Sequence, residues 1–291
     1  MKETIQFRKQ RELGDILSDT FKFIRMEWKP LGSLIIRIPG IALLAVVLSY
    51  IYYIRSTVGS FGLNDSSWPG SAITSGFEAV IAVFLLLGSA LIFYSLLYGT
   101  ILFYIKEYVQ QDGEVDPRKV ERQLRDGIWD LFGLNFLNAI IIVAGSIFCL
   151  IPGIYFAVVL ASTFSIMIME KRDITDSIGY SFKLIKGEWW ITFATLLVVG
   201  ILYYIIALIF QVPQYLYFFV RAFTSSAEIS GDPGEMFDWI YVALSSIGMM
   251  AQYLLQTIMV VATALVYFNL HERKFHTGTL ETIESIGKRE R

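Results

Sequence analysis

Charge, cysteine and histidine are all scarce in this chain, and each scarcity removes a class of function. Charged residues make up 17% of the 291 positions, against about 25% in ordinary soluble domains. Hydrophobic residues make up 55% and the mean hydropathy is +0.57, a composition suited to solution in lipid. The one cysteine, Cys149, lies in an apolar run, which excludes a disulfide framework and a cysteine-based metal site. The two histidines, His271 and His276, flank Glu272, Arg273 and Lys274. Their spacing does not place both on one helical face, so a metal-ligand pattern is missing; a headgroup-facing or solvated tail is the reading for them. No phosphate-cradling glycine loop, nucleophile elbow or His-Glu zinc motif occurs. The formal net charge of −2 shows no basic surplus for nucleic acid. The expectation is a non-enzymatic protein without cofactor or metal. The first dozen residues are polar and lack the basic-then-apolar pattern of a cleaved signal, so the first apolar span is expected to be a retained insertion signal.

What the chain has in abundance is long apolar runs. A bilayer core needs about 20 apolar residues per helix, and six spans are expected: Leu31–Ile54, Phe77–Ile105, Leu131–Leu150, Ile154–Met169, Ile191–Val220 and Phe237–Phe268. The third and fourth are joined by Ile151-Pro152-Gly153, where proline stops a helix and glycine permits a tight turn. A single kinked helix is the alternative there. However, the apolar stretch is nearly twice one crossing of about 20 residues, which favours a hairpin.

Lysine and arginine orient the spans. Seven fall in residues 1–29, five in 106–130, four in 170–190 and five from Asn269 onward. The opposite connections hold only Arg55 and Arg221, beside Glu228, Asp232, Glu235 and Asp238. Both termini are therefore expected in the cytosol. Acidic groups at Asn64-Asp65 and from Glu228 to Asp238 could bind a cation weakly, but their turn-like neighbours read as solvated loop.

Phe21-Lys22-Phe23-Ile24-Arg25-Met26-Glu27-Trp28 returns as Phe182-Lys183-Leu184-Ile185-Lys186-Gly187-Glu188-Trp189, and Asp15 returns as Asp176. Each copy precedes an apolar span. Leu13, Leu17, Phe21, Ile24 and Trp28 recur at helical spacing, as do Ile174, Ile178, Phe182, Ile185 and Trp189, with charges mostly on the other side. Such segments belong at a membrane interface, and their tryptophans suit the headgroup boundary. A weaker third version has Val120, Leu124, Ile128 and Leu131 opposite Arg118, Lys119, Arg122 and Arg125. The chain thus reads as one all-α integral membrane domain of three parallel repeats, 13–109, 117–169 and 174–268, with a cytosolic tail at 269–291. Each repeat is expected to be a cytosolic amphipathic interfacial helix followed by a hairpin of two spans.

Two sets of candidate site residues follow. Lys22, Arg25, Arg118, Lys119, Arg122, Arg125, Lys183 and Lys186 form a basic cytosolic ring, where each charge near an anionic leaflet is worth about 1 kcal/mol; topology alone would also account for it. Arg37, Asn138, Gln252 and Gln256 are the polar groups expected at membrane depth. They would line a path in a carrier, or act as a snorkelling cation and interhelical glue. Gly153, Ala157, Ala161 and Ser165 make a small-residue stripe that serves either an oligomer seam or packing within the chain. Ser95 and Gly99 offer a shorter one.

Phe21 to Trp28, Leu150-Ile151-Pro152-Gly153-Ile154-Tyr155, and Asp176-Ser177-Ile178 leading to Ser181 through Trp190 resemble a family of bacterial multi-pass proteins. These are similar to the membrane domain of glycerophosphoryl diester phosphodiesterases. The resemblance implies an integral inner-membrane domain that handles lipid or assists a partner. The hydrolase residues of that family belong to a separate barrel, and none is carried onto this chain. The leading expectation is a protein organising membrane lipids or a partner complex, with a protein partner or a second copy as further contacts and no nucleic acid. The alternative is a carrier or lipid translocator working between the repeats.

Overall fold

The structure, a computed structural model, describes residues 4–61, 69–224 and 237–276. Among these residues there are nine α-helices and no strand: α1 (Leu13–Arg37), α2 (Pro39–Phe61), α3 (Pro69–Gln110), α4 (Pro117–Phe148), α5 (Leu150–Leu160), α6 (Thr163–Glu170), α7 (Ile174–Ile185), α8 (Trp189–Thr224) and α9 (Trp239–Phe275). Six stretches are long and apolar enough to cross a membrane: Pro39–Thr57, Gly76–Gln110, Pro117–Ile147, Leu150–Glu170, Trp189–Thr224 and Trp239–Phe275. A chain this apolar must satisfy its own backbone N–H and C=O groups in hydrocarbon, and helices do so within each segment.

Breaks between helices correct the expected boundaries. The first span begins at Pro39 rather than Leu31. Pro39 has no N–H to donate to the Ile35 carbonyl, and α1 stops at Arg37, with Ile38 as its C-cap. Arg37 therefore ends the entry helix and does not lie two turns into a span. The break before the fourth span falls at Cys149, which is extended (φ −171°, ψ 150°), and not at Ile151-Pro152-Gly153. Pro152 sits in the first turn of α5, where the missing N–H has no intrahelical partner to lose. No break separates an entry helix from the third span, because α4 runs uninterrupted from Pro117 to Phe148. The last helix continues through the expected tail to Phe275, with Asn269, Leu270 and Glu272 buried.

The two copies of the repeated segment fold alike and then diverge. Asp15 and Asp176 both occupy the first turn of their helices, where a carboxylate complements the helix dipole. Ile16, Thr20 and Phe23 are buried in the first copy, and Ser177, Ser181 and Leu184 at the matching positions of the second. Glu27 accepts a 2.7 Å hydrogen bond from the Tyr104 hydroxyl, and Glu188 a 3.0 Å bond from Arg273. The divergence is at Met26, inside a continuous α1, against Gly187, whose φ is +90°. A glycine in the left-handed region ends a helix, so α7 stops and α8 restarts at Trp189. In α1 the expected apolar stripe is not the buried face. Leu13, Leu17 and Ile24 are only partly covered and Phe21 and Trp28 are exposed, while the buried face lies about 90° round the helix by its 3.6-residue period.

Contacts divide the chain into two compact units. One comprises residues 1–38, 94–201 and 257–291, the other 39–93 and 202–256. In the first, Phe7 is 2% exposed and packs edge-on against Phe23, Tyr108 and Phe268 at 5.3, 5.9 and 5.4 Å. The Ile5 N–H donates to the Tyr108 hydroxyl at 3.1 Å. Arg11 is buried; its N–H donates to Asn269 Oδ1 at 2.8 Å, and its guanidinium to Asp19 at 2.8 Å and to the carbonyls of Phe7 and Gln6. The polar beginning of the chain is thus an ordered part of this unit. In the second unit, Gln211 Nε2 donates to Gln252 Oε1 at 2.8 Å, and the Arg55 guanidinium lies 3.7 Å from the centre of the Trp239 ring.

The small residues work within the chain at the places that can be followed. A Cβ on Gly153 would run into Ser146 Oγ and lie 3.1 Å from Ser146 Cα, so α5 meets α4 backbone to backbone there. The stripe does not continue as one contact: Ala157 is exposed, and the α5–α6 break falls at Ala161 and Ser162. Gly99 of α3 similarly receives Leu124 and Leu131 of α4.

Two outcomes follow. Gly153→Val should destabilise the protein by about 1–3 kcal/mol through overpacking. Gly179→Ala, with nothing within 4 Å of the added carbon, should be neutral or gain up to about 1 kcal/mol of helix propensity. Thermal unfolding in detergent compares them; equal stability of the two variants would mean that α4 and α5 do not meet at Gly153. The second concerns Asp19. Burial raises its carboxyl pKa, but the hydrogen bonds and charges of Arg11 and Lys9 outweigh burial and hold it below the ordinary 3.8. A depressed folded pKa gives stability that is complete above the ordinary value and lost as pH falls through the folded one. Asp19→Asn should cost about 2–4 kcal/mol at pH 7 by stranding Arg11 and should flatten the acid limb of stability against pH. An unchanged acid limb would remove Asp19 as its origin.

Candidate functional site

α4 begins with its charges the wrong way round for a helix. Asp116 caps it, accepting from the Arg118 N–H at 3.0 Å, and Pro117 starts it. Its first turn then carries Arg118 and Lys119 and no acid, whereas α1 and α7 carry Asp15 and Asp176 there. Cations at a helix N-terminus oppose the dipole at a cost of about 0.3–1 kcal/mol each. An anion at that place would reverse the sign of the interaction.

Arg118, Arg122 and Arg125 stand at spacings of four and three, which puts them on one face of α4. Facing them is the end of α1, with Arg37 and Ile38. Together they bound a groove of about 570 Å³. Its apolar lining is Ile38, Leu96, Leu124 and Ile128. Arg37 bonds Glu121 at 3.0 Å, and its side chain remains 73% exposed. Among the described residues no carboxylate lies within salt-bridge distance of Arg118, Arg122 or Arg125, so the groove holds four guanidinium groups against one carboxylate. A guanidinium offers a rigid fork of donors that matches phosphate and carboxylate oxygens.

Below the arginines the same face of α4 turns apolar. Trp129 follows Arg125 by one turn and is 81% exposed; Phe136, Ile140, Val143 and Ile147 are exposed further along. An exposed indole between a basic row and an exposed apolar row is the side-chain order of a headgroup boundary. The length agrees. Thirty-one residues span about 46 Å at 1.5 Å each, against a hydrocarbon core of about 30 Å, so about ten residues at one end have room to stand clear of it. Packing of Leu124 and Leu131 against Gly99, and the 3.1 Å bond from Asn135 to Ser95, hold this helix on α3.

The expected ring of eight cations does not form one site. Arg118, Arg122 and Arg125 meet in the groove, joined by Arg37, which had been grouped with the polar path. Lys119 is on another face of α4 and bonds Glu107 at 2.9 Å. Lys22 and Arg25 lie on α1 but do not line the groove. Lys183 and Lys186 are exposed, and their carbonyls accept from Lys274 Nζ at 2.6 and 3.3 Å, a cation capping the end of α7. The polar path is likewise divided. Asn138 donates to Thr163 Oγ1 at 2.8 Å and is buried, whereas Gln252 and Gln256 belong to the other compact unit. Asn138 Oδ1, Ser162 Oγ and Ser165 Oγ are buried without a hydrogen-bond partner, beside the break between α5 and α6.

Sequence reasoning missed Glu121 and Trp129, although the one-turn step from Arg125 to Trp129 was readable. It also left His271 on a solvated tail. His271 instead lines a second pocket, of about 220 Å³, with Arg8, Lys106, Glu170, Tyr267 and Glu272, and His276 lies 3.4 Å from Gln10. Among the described residues no three His, Cys, Asp or Glu side chains lie close enough to hold a metal ion. The acidic candidates at Asn64-Asp65 and from Glu228 to Glu235 lie outside the described residues. No protein-family model, no curated protein and no solved structure matches this chain.

Proposed function

We propose that this is a non-enzymatic bacterial inner-membrane protein that binds anionic lipid at the cytosolic headgroup level and so organises lipids or a partner complex. The observation that carries the reading is the groove of Arg37, Arg118, Arg122 and Arg125, with an apolar lining and exposed Trp129 one turn beyond it. Basic pockets between membrane helices on the cytosolic side suit anionic headgroups. Arginine at each contact gives directional, bidentate bonds to phosphate oxygens rather than diffuse attraction.

The proposed architecture is three parallel hairpins with both termini in the cytosol. The burial pattern shared by 16, 20 and 23 with 177, 181 and 184 supports a repeat of the outer two units. The α1 and α7 helices are read as lying along the interface, because each buries one face and leaves aromatic residues of a second stripe exposed, Phe21 and Trp28 in α1 and Phe182 in α7. From the family resemblance the proposal takes only the membrane domain and no catalytic residue.

One observation favours a second reading, a carrier. The fourth span is discontinuous at Ala161 and Ser162, and buried polar atoms of Asn138, Ser162 and Ser165 lack partners there. Broken helices with exposed polar groups mark binding sites in many transporters.

Single cysteines at Ser66, Ser230, Asp112 and Ser285 in a Cys149→Ser background test the topology. An impermeant reagent on intact cells should label the first two alone; labelling of Asp112 or Ser285 would overturn the orientation. For the groove, Arg118→Gln with Arg122→Gln should reduce anionic phospholipid retained on the purified protein several-fold, while Lys183→Gln with Lys186→Gln leaves it near wild type. Native mass spectrometry reads both. Equal retention in all three proteins would return the carrier as the better reading.

A further inference from the structure

We infer that the ligand of the arginine groove is a phospholipid whose headgroup carries two phosphates joined by a short polyol, the chemistry of cardiolipin. This rests on the lipid-binding reading of the same groove and names its ligand class.

Charge is the first argument. Four guanidinium groups face one carboxylate, and that carboxylate is already bonded to Arg37. The groove therefore has three cations more than its own acid balances, and two more once the Asp116 carboxylate that caps α4 beside it is counted. A single phosphodiester brings one negative charge and would leave the site positive. Two phosphodiesters come much nearer to balance.

Geometry is the second. Arg118 and Arg125 are separated by about 10 Å along the helix axis, with Arg122 between them. Arginines so spaced on one face offer their forks along the length of the groove rather than at one point of it. They match two phosphates held a short linker apart, one toward Arg118 and the other toward Arg122 and Arg125. Arg37 reaches the groove from the end of α1, where Glu121 fixes it. The volume of about 570 Å³ suits a headgroup and the first carbons of its chains. Ile38, Leu96, Leu124 and Ile128 supply the dry wall for those carbons. The remaining chain length would run along exposed Phe136, Ile140 and Val143. A soluble diphosphate shares the anionic chemistry but would leave this apolar wall uncovered.

The test uses the full chain in nanodiscs of phosphatidylcholine doped with cardiolipin or with twice the molar amount of phosphatidylglycerol, so that the negative charge is equal. Bound lipid is read by native mass spectrometry after release into detergent. Cardiolipin should be retained about ten-fold over phosphatidylglycerol. That preference should vanish in Arg118→Gln with Arg122→Gln and persist in Lys183→Gln with Lys186→Gln, both variants being checked for wild-type monodispersity and unfolding temperature. Arg125→Lys keeps the charge and loses the fork, and should lower the preference without abolishing anionic-lipid retention. Equal retention of the two lipids at equal charge would overturn the two-phosphate inference and leave the groove as a general anionic-lipid site. Retention of neither would overturn the lipid-binding reading as well. Displacement of bound cardiolipin by millimolar inorganic pyrophosphate would overturn the lipid source in favour of a soluble diphosphate.

Discussion

In hydrocarbon, a backbone amide that loses its partner finds no water to replace it. That constraint governs where this chain can bend. Three of its helix breaks fall at residues that prevent continuation or compensate for the lost bonds. Pro39 ends α1 by offering no N–H to the Ile35 carbonyl. Gly187 ends α7 by taking positive φ, and Lys274 caps the released carbonyls. At the α5–α6 break the Thr163 hydroxyl bonds the Leu160 carbonyl at 2.7 Å, replacing in part what the backbone gave up.

The same constraint separates the shapes of the three segments that begin at α1, α4 and α7. The first is one helix through Trp28 because Met26 stands where the third has glycine. The middle one passes without interruption into its span because neither proline nor positive-φ glycine intervenes. The uninterrupted α4 holds Arg118, Arg122, Arg125 and Trp129 in fixed helical phase with exposed Phe136, Ile140 and Val143 further along it.

Buried polar groups show where stability has been given to specificity. Arg11 is enclosed and pays for desolvation, which lowers its pKa even with Asp19 opposing; arginine nonetheless stays protonated. Its five-donor fork ties the start of the chain to α1 and, through its backbone, to Asn269. Phe7 then closes the space between Phe23, Tyr108 and Phe268. A segment that reads as a polar leader is held by one alternating apolar pair, Ile5 and Phe7, and one cation.

Composition and the spacing of apolar runs by themselves determined the all-helical class, the six crossing-length stretches and the type of residue at the groove, because these depend on local hydropathy and helical period. Arg118, Arg122 and Arg125 were legible as one charged face for that reason. The sequence did not reveal that Lys119, one residue away, turns to Glu107, that Arg37 leaves the first span to meet Glu121, or that His271 and Glu272 lie inside the structure. Those placements depend on which helix a side chain meets across the fold, and partners tens of residues apart are set by tertiary packing. The break at Cys149 rather than at Pro152-Gly153 has the same origin. Local propensity allowed either place, and the close approach of Gly153 to Ser146 is made with Pro152 inside the first turn of α5.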